Sequence, residues 1–115
     1  MLLEHLRDRI QGKAKKGEKR DPAWKDVRRQ FLLEHPRCAS CGSKRKVQAH
    51  HIIPFQYAPD LELEFDNLLT LCTGGRFRGL NCHFIVGHLG DFRRVNEMVE
   101  ADAAEWSIKL RKRRS

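Results

Sequence analysis

Apolar positions fall at helical spacing in three places along this chain, and two short β-rich runs lie between the second and the third. Leu2, Leu3, Leu6 and Ile10 form the first stripe, with Gly12 placed to end it, so a short amphipathic helix is expected there. Lys13 to Arg20 holds five Lys/Arg and one Glu and cannot bury a core. It reads as a basic linker, either simply solvated or serving as an arm along a nucleic-acid groove. Asp21-Pro22 supplies an N-cap carboxylate followed by proline at the first helical position. Trp24, Val27 and Phe31 then share one face, with Trp24 and Phe31 read as core, and His35-Pro36 ends the helix. Val47–Ile53 is expected as a strand that Pro54 terminates, and Asn67 precedes a second strand, Leu68–Cys72. Thr73 to Leu80, with Gly74, Gly75, Gly79, Arg76 and Arg78, reads as a basic loop, and a short helix should start near Asn81 and reach Val86 or beyond. Asn96 looks like the N-cap of a last helix whose stripe is Val99, Ala103, Trp106 and Leu110, with Trp106 as packing anchor. Glu97, Glu100 and Asp102 near its start, with Lys109 and Arg111 to Arg114 near its end, suit the helix dipole.

Length and charge narrow this picture. A chain of 115 residues is one domain at most: residues 1–20 as helix and basic linker, 24–88 as core, 96–115 as final helix and basic end. The 23 Lys+Arg against 15 Asp+Glu leave a net charge of +8, which favours a polyanionic partner, nucleic acid before an anionic membrane. No apolar run approaches the ~18–20 residues of a membrane span, and charge enters too early after Met1 for a signal peptide. An intracellular protein is therefore expected, and in a reducing compartment paired cysteines serve as metal ligands more often than as disulfides.

All four cysteines and four of the six histidines lie between Cys38 and His88. Cys38-x2-Cys41-Gly42 has the form of a zinc knuckle, two thiolates on a tight turn that glycine lets reverse. Nine residues separate Cys72 from Cys82, a long insert, but closing a flexible loop of that size costs little more than closing a shorter one. Four soft ligands suit tetrahedral zinc, whose binding can contribute on the order of 10 kcal/mol to folding; two buried thiols plus a redox pair at Cys38 and Cys41 is the alternative. His50-His51 is less telling, because neighbouring side chains on a strand point to opposite faces. Both can serve one site only if the strand bends or a ligand approaches its edge.

The order Cys-x2-Cys, His-His-Ile-x-Pro, Asn-Leu-x-x-Leu-Cys, Cys-His resembles the HNH endonuclease family over about Trp24 to His88. The resemblance implies an α+β fold: a small ββα-metal core, a two-stranded hairpin plus a helix, with a zinc knuckle and flanking N- and C-terminal helices. It implies that His50 and His83 bind a catalytic divalent ion, that His51 is the general base, that Asn67 holds the hairpin loop and so orients the base, and that Cys38, Cys41, Cys72 and Cys82 hold structural zinc. His88 lies five residues after His83, whereas partners on one α-helical face lie three or four apart. A further metal ligand, a phosphate donor and a capping residue are the readings open to it, with the non-ligand ones favoured.

The expected function is a metal-dependent DNA endonuclease that hydrolyses phosphodiester bonds, one strand per active site, leaving 5′-phosphate and 3′-hydroxyl ends as the family does. Neutral histidine, with an ordinary pKa near 6.5, can take a proton from water at physiological pH. Imidazole ligands suit Mn, Ni, Co or Zn better than Mg, although the family often accepts Mg or Mn. Arg76, Arg78, Arg93, Arg94 and the two basic ends are candidate phosphate contacts, which would bring salt-sensitive affinity without base preference. Double-stranded DNA is the expected partner, no membrane is expected, and the protein is expected as a monomer or weak dimer in a bacterial or phage-infected cytoplasm. The alternative is a zinc-binding nucleic-acid module without catalysis.

Overall fold

The computed structural model describes residues 20–74, 81–91 and 94–114, with the side chains of 112–114 outside the description. The expected N-terminal helix and most of the basic linker, together with Arg76, Arg78 and Arg93, lie outside the described residues. In chain order come helix α1 (Trp24–Glu34), strand β1 (Val47–His51), two single 3-10 turns (Pro59–Leu61 and Phe65–Asn67), strand β2 (Leu68–Cys72), a π-helical turn (His83–Gly87) and helix α2 (Val99–Arg114). This is the mixed α+β fold expected from the sequence, built on one antiparallel hairpin with the helices packed around it. No helix among the described residues is long and apolar enough to cross a membrane.

β1 and β2 pair antiparallel, with Val47 opposite Cys72 and His51 opposite Leu68. β2 occupies the residues expected of it, whereas β1 stops two residues short of Ile53. The reason lies in where the next amides go. Ile52 N–H donates to the Asn67 backbone oxygen at 2.8 Å, and Ile53 N–H donates to Asn67 Oδ1 at 2.8 Å. Asn67 also donates through Nδ2 to the carbonyls of Ile53 at 3.1 Å and Leu61 at 3.3 Å. One buried amide thus replaces a ladder and closes the long connection between the strands.

The start of α1 also differs from expectation. Asp21 makes a cap-type bond, its Oδ1 accepting from Ala23 N–H at 2.9 Å, but Ala23 is the residue directly before the helix, and the Asp21 amide donates to Glu62 Oε1 at 2.9 Å. Pro22 is taken up in the turn before the first helical residue, Trp24. Phe31 is buried as expected, with its ring edge-on to Phe65 at 5.2 Å, but Trp24 is only half-buried.

α2 follows the sequence closely. Val99, Ala103 and Leu110 are buried, and Trp106 packs against the same core, together with Ile53, Leu71 and Val86. Asn96 Oδ1 accepts from Met98 N–H at 3.0 Å, a cap-type bond leading into the helix. Its Nδ2 donates to Val86 O at 2.7 Å and to Asp102 Oδ2 at 2.9 Å, which ties α2 to the π-helical turn.

Asn67→Ala would strand the one amide and two carbonyls that this side chain serves in a buried setting. At about 1 kcal/mol per lost bond, with more for each buried group left unpaired, we expect a loss of roughly 3 kcal/mol, read from urea denaturation of wild type and variant with zinc present.

Candidate metal centre and adjoining cleft

The four sulfurs converge. Cys38, Cys41, Cys72 and Cys82 are all buried and place their Sγ atoms within 4.8 Å of one another. Cys41 Sγ lies 3.4 Å from Cys72 Sγ, far beyond a disulfide bond of ~2.05 Å and close to the ~3.8 Å edge of a zinc tetrahedron with 2.3 Å bonds. The knuckle is ordinary: Gly42 takes φ +79 so that its amide reaches Cys38 O at 2.9 Å, and Cys41 N–H donates to Cys38 Sγ at 3.4 Å. The second pair closes as the loop argument allows, with Cys72 ending β2 and Cys82 leading into the π-helical turn.

Electrostatics favour a cation in this nest. The Cys82 thiol donates to Cys38, which pulls Cys38 down to about 4 and pushes Cys82 up; burial lifts Cys41 to about 11. Crowded sulfurs of this kind can carry little negative charge unless a metal neutralises it, and the donor set is one that zinc takes.

A second cluster lies across the hairpin. His50, His83 and His88 each bring a ring nitrogen within 4.8 Å of the others, with ring centroids 4.9 to 5.0 Å apart. His88, whose spacing argued against it, belongs to this group because the local helix is not α. The i→i+5 pattern widens the turn, so residues five apart return to nearly the same side. Beyond His88 the chain reverses through Leu89 at φ +54 and Gly90 at φ +78, which brings the Arg94 carbonyl back to 3.1 Å from His88 Nδ1. A carbonyl only accepts, so Nδ1 carries the proton and Nε2 keeps its lone pair, the form a metal ligand needs. Arg94 thus meets the cluster through its backbone, and its side chain is exposed.

Burial is the main cause that lowers His50, to about 3, with His83 and His88 adding to it; burial and then His88 lower His83 to about 4. Both rings are therefore neutral and ligand-competent well below the usual histidine range. Three imidazoles with no carboxylate among them are a donor set for Zn, Ni, Co or Mn rather than for Mg.

His51 points the other way along the strand, as alternation requires. Its ring stacks on Trp24 at 4.4 Å between centroids, and its Nε2 donates to the Glu62 carbonyl at 3.0 Å, leaving Nδ1 as the basic nitrogen. Burial lowers its pKa, while the Glu62 carbonyl works against that shift. His50 and His51 nevertheless open into the same cavity of about 660 Å³, with His83 and His88 on its wall. The cavity lies along the β1 edge, which resolves the alternation problem by the second of the two routes the sequence allowed.

Sequence reasoning passed over two residues of this region. Glu62 read as one acid among several in a loop; it is 2 % exposed, and its Oε2 accepts from Arg20 at 3.1 Å while its backbone orients His51. Gly87 read only as a limit to the short helix, yet a Cβ there would lie 3.2 Å from His50 Cε1, 3.3 Å from His50 Nδ1 and 3.1 Å from Leu71 Cδ1.

Gly87→Ala should displace the His50 ring. We expect cobalt titration to show about tenfold or greater weakening at the histidine cluster, as for the loss of other supports of ligand orientation, with the sulfur-to-cobalt absorption of the cysteine site unchanged. Acid should also act through these rings. The unfolded chain takes protons on His50 and His83 below about 6.5, whereas the folded chain refuses them until about 3 and 4 respectively, so folding is favoured above 6.5 and loses ground as pH falls. With zinc present and no second metal, the stability difference between wild type and His50→Gln should shift against wild type by roughly 1 kcal/mol per pH unit between about pH 6.5 and 5, measured by urea denaturation.

No curated protein and no solved structure matches this chain. Residues 38–74 match the family model described as HNH endonuclease, a stretch that holds the knuckle, the His50-His51 pair, Asn67 and Cys72. Over those residues the chain carries an HNH endonuclease motif, and the resemblance read from its sequence is borne out there.

Proposed function

We propose that this protein is a metal-dependent DNA endonuclease that hydrolyses phosphodiester bonds, nicking one strand per active site. The observation that carries this reading is the opening of His51 and the three-histidine cluster into one cavity. His50, His83 and His88 would hold a divalent ion, and that ion would supply a Lewis acid for the phosphate and for the charge developing on the leaving oxygen. His51, neutral at physiological pH, takes a proton from the attacking water at Nδ1 while Nε2 stays tied to Glu62. Asn67 closes the loop that carries this carbonyl, so it positions His51 without touching substrate. The four-cysteine site is compatible with structural zinc, and it clamps the end of β2, opposite the start of β1, to the start of the π-helical turn. The basic surface supplies salt-sensitive affinity for duplex DNA, with the protein acting as a monomer or weak dimer.

A second reading, a zinc-stapled module that binds nucleic acid without cutting it, draws support from the extent of the family match. That match ends at Gly74, before His83 and His88.

Supercoiled plasmid separates the two. With Mn²⁺, Co²⁺ or Ni²⁺ and zinc retained we expect conversion to open circles, and a loss of roughly 100-fold or more in rate for His51→Ala. Salt-sensitive binding with no nicking in any of these metals would establish the binding module instead.

A further inference from the structure

The cavity is larger than the histidine cluster needs, and its far wall has no role so far. Along β1 it runs from His51 to Val47, a length of roughly 13 Å at about 3.3 Å per residue. Opposite stands one row of α1, Trp24, Arg28 and Leu32, which spans about 12 Å at 1.5 Å per residue. The row continues backward to Arg20, four residues before Trp24. Helix α1 lies outside the residues matched by the family model.

Charge along this wall is one-sided. No aspartate or glutamate side chain lines the cavity, while two arginines do. The two are not equivalent. Arg20 is committed to Glu62 at 3.1 Å, and its Cζ sits 4.5 Å over the Phe55 ring. Arg28 is exposed and has no ion pair among the described residues. By contrast its neighbour Arg29 reaches Asp26 at 3.6 Å. Trp24 turns one side of its indole to His51 and remains half-buried, which leaves part of a flat apolar surface open next to the exposed Arg28.

We propose that Arg28 and Trp24 form a subsite for the nucleotide flanking the scissile phosphate. Arg28 takes the flanking phosphate, and the uncovered part of Trp24 packs against the adjoining sugar or base. This assignment rests on the phosphodiesterase reading for its substrate, and it adds a strand-holding wall to it. An exposed guanidinium beside an apolar ring suits an anionic chain with flat groups, since the fork geometry of arginine accepts two phosphate oxygens and an aromatic face accepts any base.

The test compares Arg28→Ala with Arg29→Ala, since both remove one exposed positive charge from the same helix. Binding of a short fluorescein-labelled oligonucleotide duplex is followed by anisotropy across salt concentrations, without a second metal. Arg28→Ala should weaken binding about fivefold and reduce the slope of log affinity against log salt by about one, whereas Arg29→Ala should leave the slope within error of wild type. Cleavage adds an independent arm. On the same duplex Arg28→Ala should raise KM and leave kcat nearly unchanged. On bis(p-nitrophenyl) phosphate, which has no flanking phosphate, its rate should equal that of wild type. In a Trp106→Phe background, Trp24 fluorescence should be quenched by the oligonucleotide. Equal losses in the two arginine variants, or no loss in either, would overturn the Arg28 assignment, and absence of quenching would overturn that of Trp24. If wild type cleaves neither substrate, the hydrolytic reading fails, and the binding comparison still decides the subsite.

Discussion

Four sulfurs meeting in one buried nest constrain the rest of the molecule. Cys72 is the last residue of β2 and Cys82 enters the π-helical turn, so whatever joins them holds that turn against the hairpin. The nest sits at the end of the hairpin where Cys72 faces Val47, and the histidines gather from the other end, where His50 faces Leu69. A chain of this size buries a limited apolar core, and here the cysteines themselves form a large part of it. A metal bound at the nest would thus couple folding to the placement of His83.

Around that clamp, individual buried amides do the positioning that a longer sheet would do in a bigger protein. Asn67 takes over where β1 leaves off, and Asn96 fastens α2 to the Val86 carbonyl. Each is buried and meets donors and acceptors from more than one segment. Their energetic weight comes less from the bonds themselves than from the cost of leaving so many backbone groups unpaired away from water.

Elements with a local signal were legible in the sequence. The β2 limits, the Val99–Ala103–Leu110 stripe and the knuckle at Cys38 and Cys41 all follow from periodicity or ligand spacing within a few residues. The resemblance led to His50, His51, Asn67 and His83 as a set. What could not be read depends on long-range partners. The β1 end is set by Asn67, fourteen residues beyond Ile53, and the chain entering α1 is held by Glu62, which accepts from the Asp21 amide forty-one positions away. Gly87 is required by a side chain thirty-seven positions earlier in the chain, and a single sequence holds no trace of that contact. The position of His88 beside His83 was not legible for a different reason: the spacing rule assumed an α-helix, and the chain folds a π-helical turn there.

That turn bears on how such a site can change over generations. A π-helical turn has one residue more per hydrogen-bonded loop than an α-helical one, so loss of a single residue between His83 and His88 converts their separation to four, which an ordinary helix already places on one side. Both lengths of the segment can therefore present two imidazoles together. A frame-preserving deletion, which elsewhere in a helix rotates everything downstream out of register, finds here a position where it leaves the two imidazoles side by side.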